Sequence, residues 1–416
     1  SDPSDESCCW LITQWNSENV LKTCYIGVAA GGRFRTALSA GTVSRGFLFS
    51  KRQPPVMNTL VVVAGSLLAI TAAPYVAFLA LYAWVRPSGS PAEKAAVEPA
   101  VSIVLPTYNE SRIVEAKLDD LLKLDYSMEK MELVVVDSST DDTRDIIREY
   151  FEELDVPDLT LIEEDERRGL APALNEAYDA VEREMVVKTD CDSKLPPDAL
   201  REAAANLADP EVDAVTGRNV EVLGGSEVES GYRGVQSHIQ QLESHLDSTL
   251  IFHGPFSAFE NDALLPIDPN SLADDTELAL KIRRQGGRVV FDPAVQYKEA
   301  SHSEFVKRRT QKDRRAMGLI QLLVQHRDAL GRYGSYGKVV LPFNWWFMIA
   351  SPWLLGVTLV VGTVGAIAQF GVAGAVLPVA VGLFTYLGQR DLLGSVQALY
   401  SLFDTQVSLL RASVEL

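Results

Sequence analysis

Cysteine and positive charge are both scarce in this sequence. The chain has 4 cysteines in 416 residues, too few for a disulfide framework and consistent with a reducing cytosol. Lys and Arg total 38 against 56 Asp and Glu, and the formal net charge of −18 argues against a nucleic-acid partner. Neither Gly-x-Gly-x-x-Gly nor a Walker A motif occurs, so a dinucleotide oxidoreductase or a P-loop ATPase is not supported.

Lysine is the rarer of the two basic residues. The chain has 25 Arg against 13 Lys, and such acidic, lysine-poor surfaces are typical of proteins from high-salt cytoplasms. A plainly acidic protein from an ordinary cytoplasm is the alternative. Activity retained in molar KCl would separate these two hypotheses.

Two long runs contain almost no charge. Leu60–Val85 is long enough to cross a hydrocarbon core of roughly 30 Å, and Val339–Leu387 is long enough to cross it twice, with a turn near Gly371. We therefore expect about three transmembrane helices, one in 57–88 and two in 338–388. Buried helices of a soluble core are the alternative, but such helices are shorter and seldom exclude charge for this long.

The flanks of these runs predict the orientation. Basic residues crowd the approach to the second run, so the positive-inside rule predicts a multi-pass protein of the cell membrane with a cytoplasmic central domain. Residues 389–416 have the apolar spacing of an amphipathic helix that lies on the bilayer or packs on that domain. Residues 1–56 show no usable period and are interpreted as a disordered or non-native extension.

Residues 97–334 alternate apolar strands with amphipathic helices. This order predicts an α/β domain with a mostly parallel sheet, and ligands of such sheets gather at the carboxyl ends of the strands. Polar clusters follow the four predicted strands; they are Pro106-Thr107-Tyr108-Asn109-Glu110, Asp137 to Thr143, Arg167-Arg168-Gly169 and Asp190-Cys191-Asp192. A nucleotide site at this edge of the sheet is therefore predicted.

Asp190 and Asp192 follow the last of these strands. Side chains at i and i+2 leave a strand on the same side, so both carboxylates can converge on one hard divalent cation, Mg²⁺ or Mn²⁺. The alternative is an exposed acidic loop, which is common in so acidic a chain.

Taken together, these motifs resemble those of the membrane-bound family 2 glycosyltransferases, inverting enzymes of the GT-A fold. The resemblance covers about residues 99–330 and most of the tail. It implies a nucleotide-sugar donor bound by the loop with Pro106, Thr107 and Glu110, and by Asp137, which takes the position that contacts the base. Val136 and Ser138 depart from the family pattern there.

The same resemblance assigns further donor contacts. Arg168 corresponds to the residue that meets the diphosphate, although Arg167-Arg168 may be read equally as a solvated pair beside Glu163 to Glu166. Asp190 and Asp192 correspond to the family's Asp-x-Asp, which holds the metal that bridges the donor phosphates. His302 is expected to complete the metal shell, with a surface histidine as the alternative.

Asp275 takes the position of the family's catalytic base. A carboxylate suits the role because inversion needs one group to remove the acceptor's proton while the leaving group departs on the opposite side. Asp274 and Asp275 also precede a helix, so an N-cap cluster is the alternative. His253, Gly254 and Asp274 are expected on the acceptor side, and His253 is equally compatible with a packed loop histidine.

Gln311 and Arg314 match the Gln-x-x-Arg part of an interfacial-helix motif of membrane-integrated synthases. Arg315 stands where that motif has Trp, which puts polymerisation in doubt. Arg314 is expected to neutralise diphosphate charge, and a basic face that meets anionic lipid headgroups is the alternative.

The sequence therefore predicts a membrane-anchored glycosyltransferase. It would move a sugar from a UDP- or GDP-linked donor to a lipid-linked or glycan acceptor at the cytoplasmic face, with membrane lipids around it. A processive polysaccharide synthase and a non-catalytic nucleotide-sugar-binding scaffold are the alternatives.

Overall fold

A computed structural model describes residues 55–152, 154–223, 227–300 and 305–416. The predicted N-terminal extension, except for its last two residues, lies outside these ranges, and so does His302.

Eight strands form one sheet within the described residues. They are β1 (Val101–Thr107), β2 (Met131–Asp137), β3 (Asp158–Glu163), β4 (Met185–Lys188), β5 (Ser193–Lys194), β6 (Val212–Leu223), β7 (Ser257–Glu260) and β8 (Arg288–Ala300). Their order is β3-β2-β1-β4-β7-β6-β8-β5. The neighbours of β1 and β2 all run parallel, and β7 pairs antiparallel with both β4 and β6.

Helices cover both faces of the sheet and continue into the apolar segments. They are α1 (Pro55–Val85), α2 (Val114–Leu121), α3 (Thr143–Phe151), α4 (Leu170–Ala180), α5 (Ala199–Leu207), α6 (Glu227–Leu246), α7 (Asp274–Gln285), α8 (Phe305–Gln325), α9 (Leu341–Trp345), α10 (Ser351–Phe370), α11 (Val376–Gln389) and α12 (Gln397–Glu415). The predicted α/β domain with a mostly parallel sheet is confirmed, and its far half is mixed.

The strands β1, β2 and β4 are buried on both faces, which explains their continuous apolar runs in the sequence, whereas β3 at the edge is only partly buried. Successive side chains alternate between two core layers because the strand period is two residues. Ile103 joins the layer that contains Leu118 of α2. Val104 joins the opposite layer, with Leu174 of α4 and Leu278 of α7.

The antiparallel pairing of β4 with β7 positions the site. Lys188 lies opposite Ser257, so the segment that precedes β7 runs beside the end of β4. There the hydroxyl of Thr189 donates to the carbonyl oxygen of Pro255 at 2.9 Å. The acceptor-side segment and the acidic motif are thereby brought together from distant parts of the chain.

Two helical stretches have the length and composition to cross a membrane, Thr59–Val85 and Tyr336–Gln389. Only 6% of the most apolar window of each is buried within the protein, which is unlike the core helix of a soluble domain. The second stretch contains two longer helices, because α10 ends at Phe370 and Gly371 has a φ of +59°. Leu377 lies beside Gly362, so α11 folds back along α10.

Helix α12 packs a mixed face of polar and apolar residues on the protein, with Leu409 in a buried apolar cluster. Its buried residues include Tyr400, Ser401 and Thr405, whereas Leu399 is 59% exposed. Asp404 accepts hydrogen bonds from Arg309 at 2.7 Å and Lys312 at 2.5 Å, both on α8. The residues of the expected apolar face are therefore divided: Leu399 is exposed, Leu402 packs against the buried cluster around Phe347, and Phe403 contacts the ring of Phe384 on α11.

Candidate active site

Asp137 connects the carboxyl ends of β1 and β2, where the sequence predicts the nucleotide. Its carboxylate is fully buried and accepts hydrogen bonds from Thr107 at 2.6 Å, from the hydroxyl and amide of Ser139 at 2.7 and 3.0 Å, and from Arg144 at 3.2 Å. These four donors hold the carboxylate in one position and keep the ends of β1 and β2 in register. Asp137 and Thr107 therefore contact each other, as their expected roles at one site require.

The loop after β1 is held in a fixed shape. Asn109 has a φ of +57°, a left-handed conformation that Asn tolerates, and its side-chain oxygen accepts from the amide of Thr140 at 2.9 Å. The guanidinium of Arg167 lies 3.7 Å from the ring centroid of Tyr108, a cation–π contact that the sequence did not predict. This contact joins the loop that begins at Pro106 to the segment that precedes α4.

Arg168 is engaged with carboxylates. It donates to Glu164 at 2.8 Å and forms a second ion pair with Glu176. Its side chain is 53% exposed, so these pairs contribute little to stability. Arg168 therefore pairs with acidic residues, as expected for a solvated side chain. To contact a diphosphate, it would have to leave these two glutamates.

Lys188 is the central side chain of the site, and sequence reasoning missed it. It is 1% exposed, and its ammonium lies 2.7 Å from Oδ1 of Asp190 and 3.3 Å from Oδ2 of Asp275. Burial opposes the charge, but these carboxylates outweigh it and raise the pKa of Lys188 well above its usual value. The lysine therefore links the acidic motif to the expected base.

A second buried lysine, Lys117, binds the residues on either side of the acidic motif. Lys117 of α2 donates to the hydroxyl of Thr189 and to the hydroxyl and carbonyl of Ser193, each at 3.0 Å. Burial lowers the pKa of Lys117 to about 8, because the carboxylates near it only partly offset desolvation. This lysine fixes the turn on which Asp190 and Asp192 stand, while Cys191 points into the core.

Asp275 lies in the first turn of α7 with one oxygen available. Oδ2 meets Lys188, while the buried Oδ1 has no hydrogen-bond partner among the described residues. Burial raises the pKa of Asp275 to about 7; Lys188 lowers it, and Asp274 and Asp190 raise it further. Since the free oxygen makes no capping bond, the geometry favours a proton acceptor over the N-cap alternative.

Gly254 allows the backbone to approach this cluster. A Cβ atom there would lie 2.8 Å from Nζ of Lys188 and 2.9 Å from both Oδ2 of Asp190 and Oδ2 of Asp275. No side chain fits without displacing one of these three groups. The neighbouring His253 is half-buried, and its Nε2 lies 3.0 Å from Oε1 of Gln240, so its ring is held in place beside the cavity that it lines.

Helix α8 brings its motif to the same space. Gln311, Arg314 and Arg315 line a cavity of about 420 Å³ together with Lys188, Asp190, His253, Gly254, Asp274 and Asp275. Arg315, in the position where Trp was expected, donates to Glu299 at 2.5 Å. The structure therefore gathers the predicted acceptor-side residues, the expected base Asp275 and Arg314 around one cavity.

The residues of the acidic motif fit a hard cation in part. Asp192 is exposed at the surface, but the protein around it desolvates its carboxyl group in part. This desolvation, followed by the charges of Asp190 and Glu299, raises the pKa of Asp192 to about 6. A bound cation would reduce the repulsion between carboxylates that lie so close together. Within the described ranges no three His, Cys, Asp or Glu residues converge, so the donor's phosphates would supply the further ligands.

The fold and this arrangement are those of a nucleotide-sugar transferase. Residues 99–318 match the sequence profile of the family described as glycosyltransferase like family 2, and the chain belongs to that family. The mannosyltransferase PcManGT from Pyrobaculum calidifontis, solved in complex with GDP-Man and Mn²⁺, is 30% identical. That structure superposes with a TM-score of 0.72, covering 86% of this chain and 98% of its own.

Curated relatives are more distant. Poly-beta-1,6-N-acetyl-D-glucosamine synthase of Staphylococcus aureus (strain COL) is 27% identical over 202 residues, which are 46% of this chain and 48% of that protein. The synthase of the same name from Staphylococcus epidermidis is 27% identical over 201 residues. The chain spans about half the length of these curated relatives.

Proposed function

We propose that this chain is a membrane-anchored, metal-dependent, inverting hexosyltransferase with a lipid-linked or glycan acceptor. The observation that carries the proposal is the unpartnered oxygen of Asp275, which lines the cavity beside Asp190. Asp275 accepts the proton of the acceptor hydroxyl as that oxygen attacks the anomeric carbon, and the nucleoside diphosphate leaves on the opposite face. Lys188 holds Asp275 and Asp190 at a fixed separation during this step.

The donor is proposed to lie along the carboxyl ends of β1, β2 and β4. Thr107 and Asp137 take the nucleotide end, and Pro106 and Glu110 bound it. Gln311 and Arg314 of α8 approach the diphosphate from the cavity side. GDP-mannose is the first donor to test, because the P. calidifontis relative was solved with it.

A divalent cation, Mg²⁺ or Mn²⁺, would be held by Asp190 and Asp192, and when bound it would neutralise charge on the departing diphosphate. Lys117 keeps the turn that carries both aspartates in place. His302 stays a proposed further ligand.

The apolar helices are proposed to anchor the enzyme with its catalytic domain on the cytoplasmic face. α1, α10 and α11 would cross the bilayer, and the exposed apolar face of α12 would rest on it among membrane lipids. The basic approach to the second apolar stretch supports this orientation. The acidic, lysine-poor composition supports a high-salt cytoplasm, for which activity in molar KCl is the test.

The experiment is a donor panel with the full chain in detergent. UDP- and GDP-sugars are offered with native lipid extract and either Mn²⁺ or EDTA, and release of nucleoside diphosphate is measured. We expect release from one donor, loss of release in EDTA, and a loss of about 100-fold or more in Asp275→Asn. Donor binding without release from any member of the panel would favour the non-catalytic scaffold instead.

A processive polysaccharide synthase is the second candidate, because the curated relatives carry that name. Arg315 and its ion pair with Glu299 occupy the place where such synthases are expected to have Trp. Product length decides between the two: a single added sugar supports one transfer per acceptor, and a ladder of lengths supports processive synthesis.

A further inference from the structure

The cavity beside Asp275 reaches the apolar segment that begins at Tyr336. Its walls include Asp275 and Lys188 from the sheet edge, Phe347 and Met348 from the apolar segment, and Leu409 of α12. The nucleotide-end residues Thr107 and Asp137 do not contribute to these walls. The part of the cavity away from Asp190, Gln311 and Arg314 is therefore the space left for the acceptor, and one of its walls belongs to the apolar segment proposed to enter the membrane.

The apolar wall is continuous with the membrane helices. Phe347 is 6% exposed, and its ring centroid lies 6.0 Å from that of Tyr75 on α1. Leu409 belongs to the same buried cluster as Phe347 and Met348. An apolar chain that enters from the bilayer would be buried against this wall, whereas a free oligosaccharide gains little from it.

The charges in the cavity point to an anion. Arg315 is paired with Glu299 and Lys312 with Asp404, but Arg218 and Arg314, which also line the cavity, have no ion-pair or hydrogen-bond partner among the described residues. These two unpaired arginines make part of the cavity positively charged, although the chain as a whole has 56 acidic and only 38 basic residues. Because Arg314 is proposed to serve the donor's diphosphate, Arg218 on β6 is left for an anionic group of the acceptor.

We propose that the acceptor is a membrane glycolipid in which a phosphate joins the sugar to the apolar chain. The inference rests on the proposed transferase function and narrows its acceptor to one chemical class. Arg218 binds the phosphate, and the apolar chain lies against Phe347, Met348 and Leu409. A hydroxyl of the acceptor sugar then forms the new glycosidic bond, its proton passes to Asp275, and the donor's bond to the nucleoside diphosphate breaks with the electron pair leaving on the diphosphate.

The test is direct binding of probes that lack the sugar, so it needs neither the correct donor nor the correct acceptor sugar. Binding to the full chain in detergent is measured for a long-chain polyprenyl phosphate, for the corresponding polyprenol, and for isopentenyl phosphate. We expect the long-chain phosphate to bind about tenfold or more tightly than either other probe, since both the charge and the chain contribute.

Substitutions assign the phosphate to Arg218. Arg218→Ala should weaken binding of the long-chain phosphate about tenfold and leave the binding of the polyprenol as it is, and Arg218→Lys should retain part of the preference. Arg201→Ala is the matched control, an arginine of α5 that pairs with Asp125 away from the cavity. It should not change the affinity for any probe.

Two outcomes separate the inference from the proposed function. Equal binding of the three probes, or unchanged binding in Arg218→Ala, would overturn the glycolipid-phosphate acceptor even if the donor panel shows metal-dependent release. Strong, Arg218-dependent binding without release from any donor would support the lipid site and count against the transferase.

Discussion

Lys188 and Asp275 are 87 positions apart in the chain, yet the lysine ammonium lies 3.3 Å from Oδ2 of the aspartate. The same ammonium lies 2.7 Å from Oδ1 of Asp190. One buried cation therefore joins the proposed base to the proposed donor-side motif. In the proposed reaction this buried charge fixes the position of the base relative to the donor-side motif, and fixed positions of reacting groups lower the barrier to transfer.

Replacement of Lys188 by methionine should reduce both stability and rate. Two carboxylates would lose their cation in a buried setting, which we expect to lower the free energy of unfolding by about 3 kcal/mol. The turnover number should fall at least about 100-fold because Asp275 is no longer held in place. Thermal unfolding and donor turnover measure the two effects.

The control for this variant is Lys194→Met, which removes an exposed lysine from the short strand β5 six positions later. It should leave both quantities unchanged. A Lys188→Met enzyme with normal turnover would show that the base is positioned by other contacts.

Activity should increase with pH through about 7. Burial raises the pKa of Asp275 to about 7, and the carboxylate must be ionised to accept a proton. Below that pH, kcat/KM should fall about tenfold per pH unit, as for a single titrating group. Because Lys188 lowers this pKa, Lys188→Arg should keep the profile near that of the wild type, and Lys188→Met should move its acid limb to higher pH.

The measurement is a pH profile at saturating metal, with thermal unfolding followed in parallel to exclude acid denaturation. A flat profile between pH 5.5 and 8 would contradict the assignment of Asp275 as the titrating base.

Local sequence patterns predicted the first four strands, the helices that alternate with them and the polar clusters at their ends, but not β5 to β8. A parallel strand that is buried on both faces consists of a continuous run of apolar residues. Polar residues follow it because ligands bind at the carboxyl ends of such strands. Asp137 and Asp190 were found in this way. Each belongs to a motif that lies within a few residues of its own strand.

Lys188 and Lys117 could not be found by the same reasoning. A single lysine at the end of a strand, or on an amphipathic helix, has the pattern of a solvated side chain. Its burial depends on partners that the fold brings from elsewhere, Asp275 for Lys188 and Ser193 for Lys117. Such long-range contacts have no period in the sequence. The ion pair of Arg168 with Glu176 also could not be predicted, because it depends on how α4 is placed after Gly169.

Substitution of Gly254 by alanine should disable the site. The added Cβ would lie within 3 Å of Lys188, Asp190 and Asp275, so at least one of these groups must move. We expect the free energy of unfolding to fall by about 1–3 kcal/mol. The turnover number should fall about 100-fold, because small displacements of reacting groups slow a reaction by about that factor. Gly234→Ala is the control, since nothing lies within 4 Å of a Cβ atom there. Equal turnover in the two variants would contradict the close approach at Gly254.

Removal of the divalent cation should abolish transfer, and Asp192→Asn should raise the metal concentration needed to restore it. The exposed carboxylate of Asp192 stands next to Asp190 and Glu299, and loss of its charge weakens the attraction for a hard cation. We expect the concentration of Mn²⁺ at half-maximal activity to rise about tenfold or more, with turnover partly recovered at high Mn²⁺. Asp198→Asn, at an exposed aspartate that precedes α5, is the matched control and should titrate like the wild type. Full activity of the wild type in excess EDTA would show that Asp190 and Asp192 act without a metal.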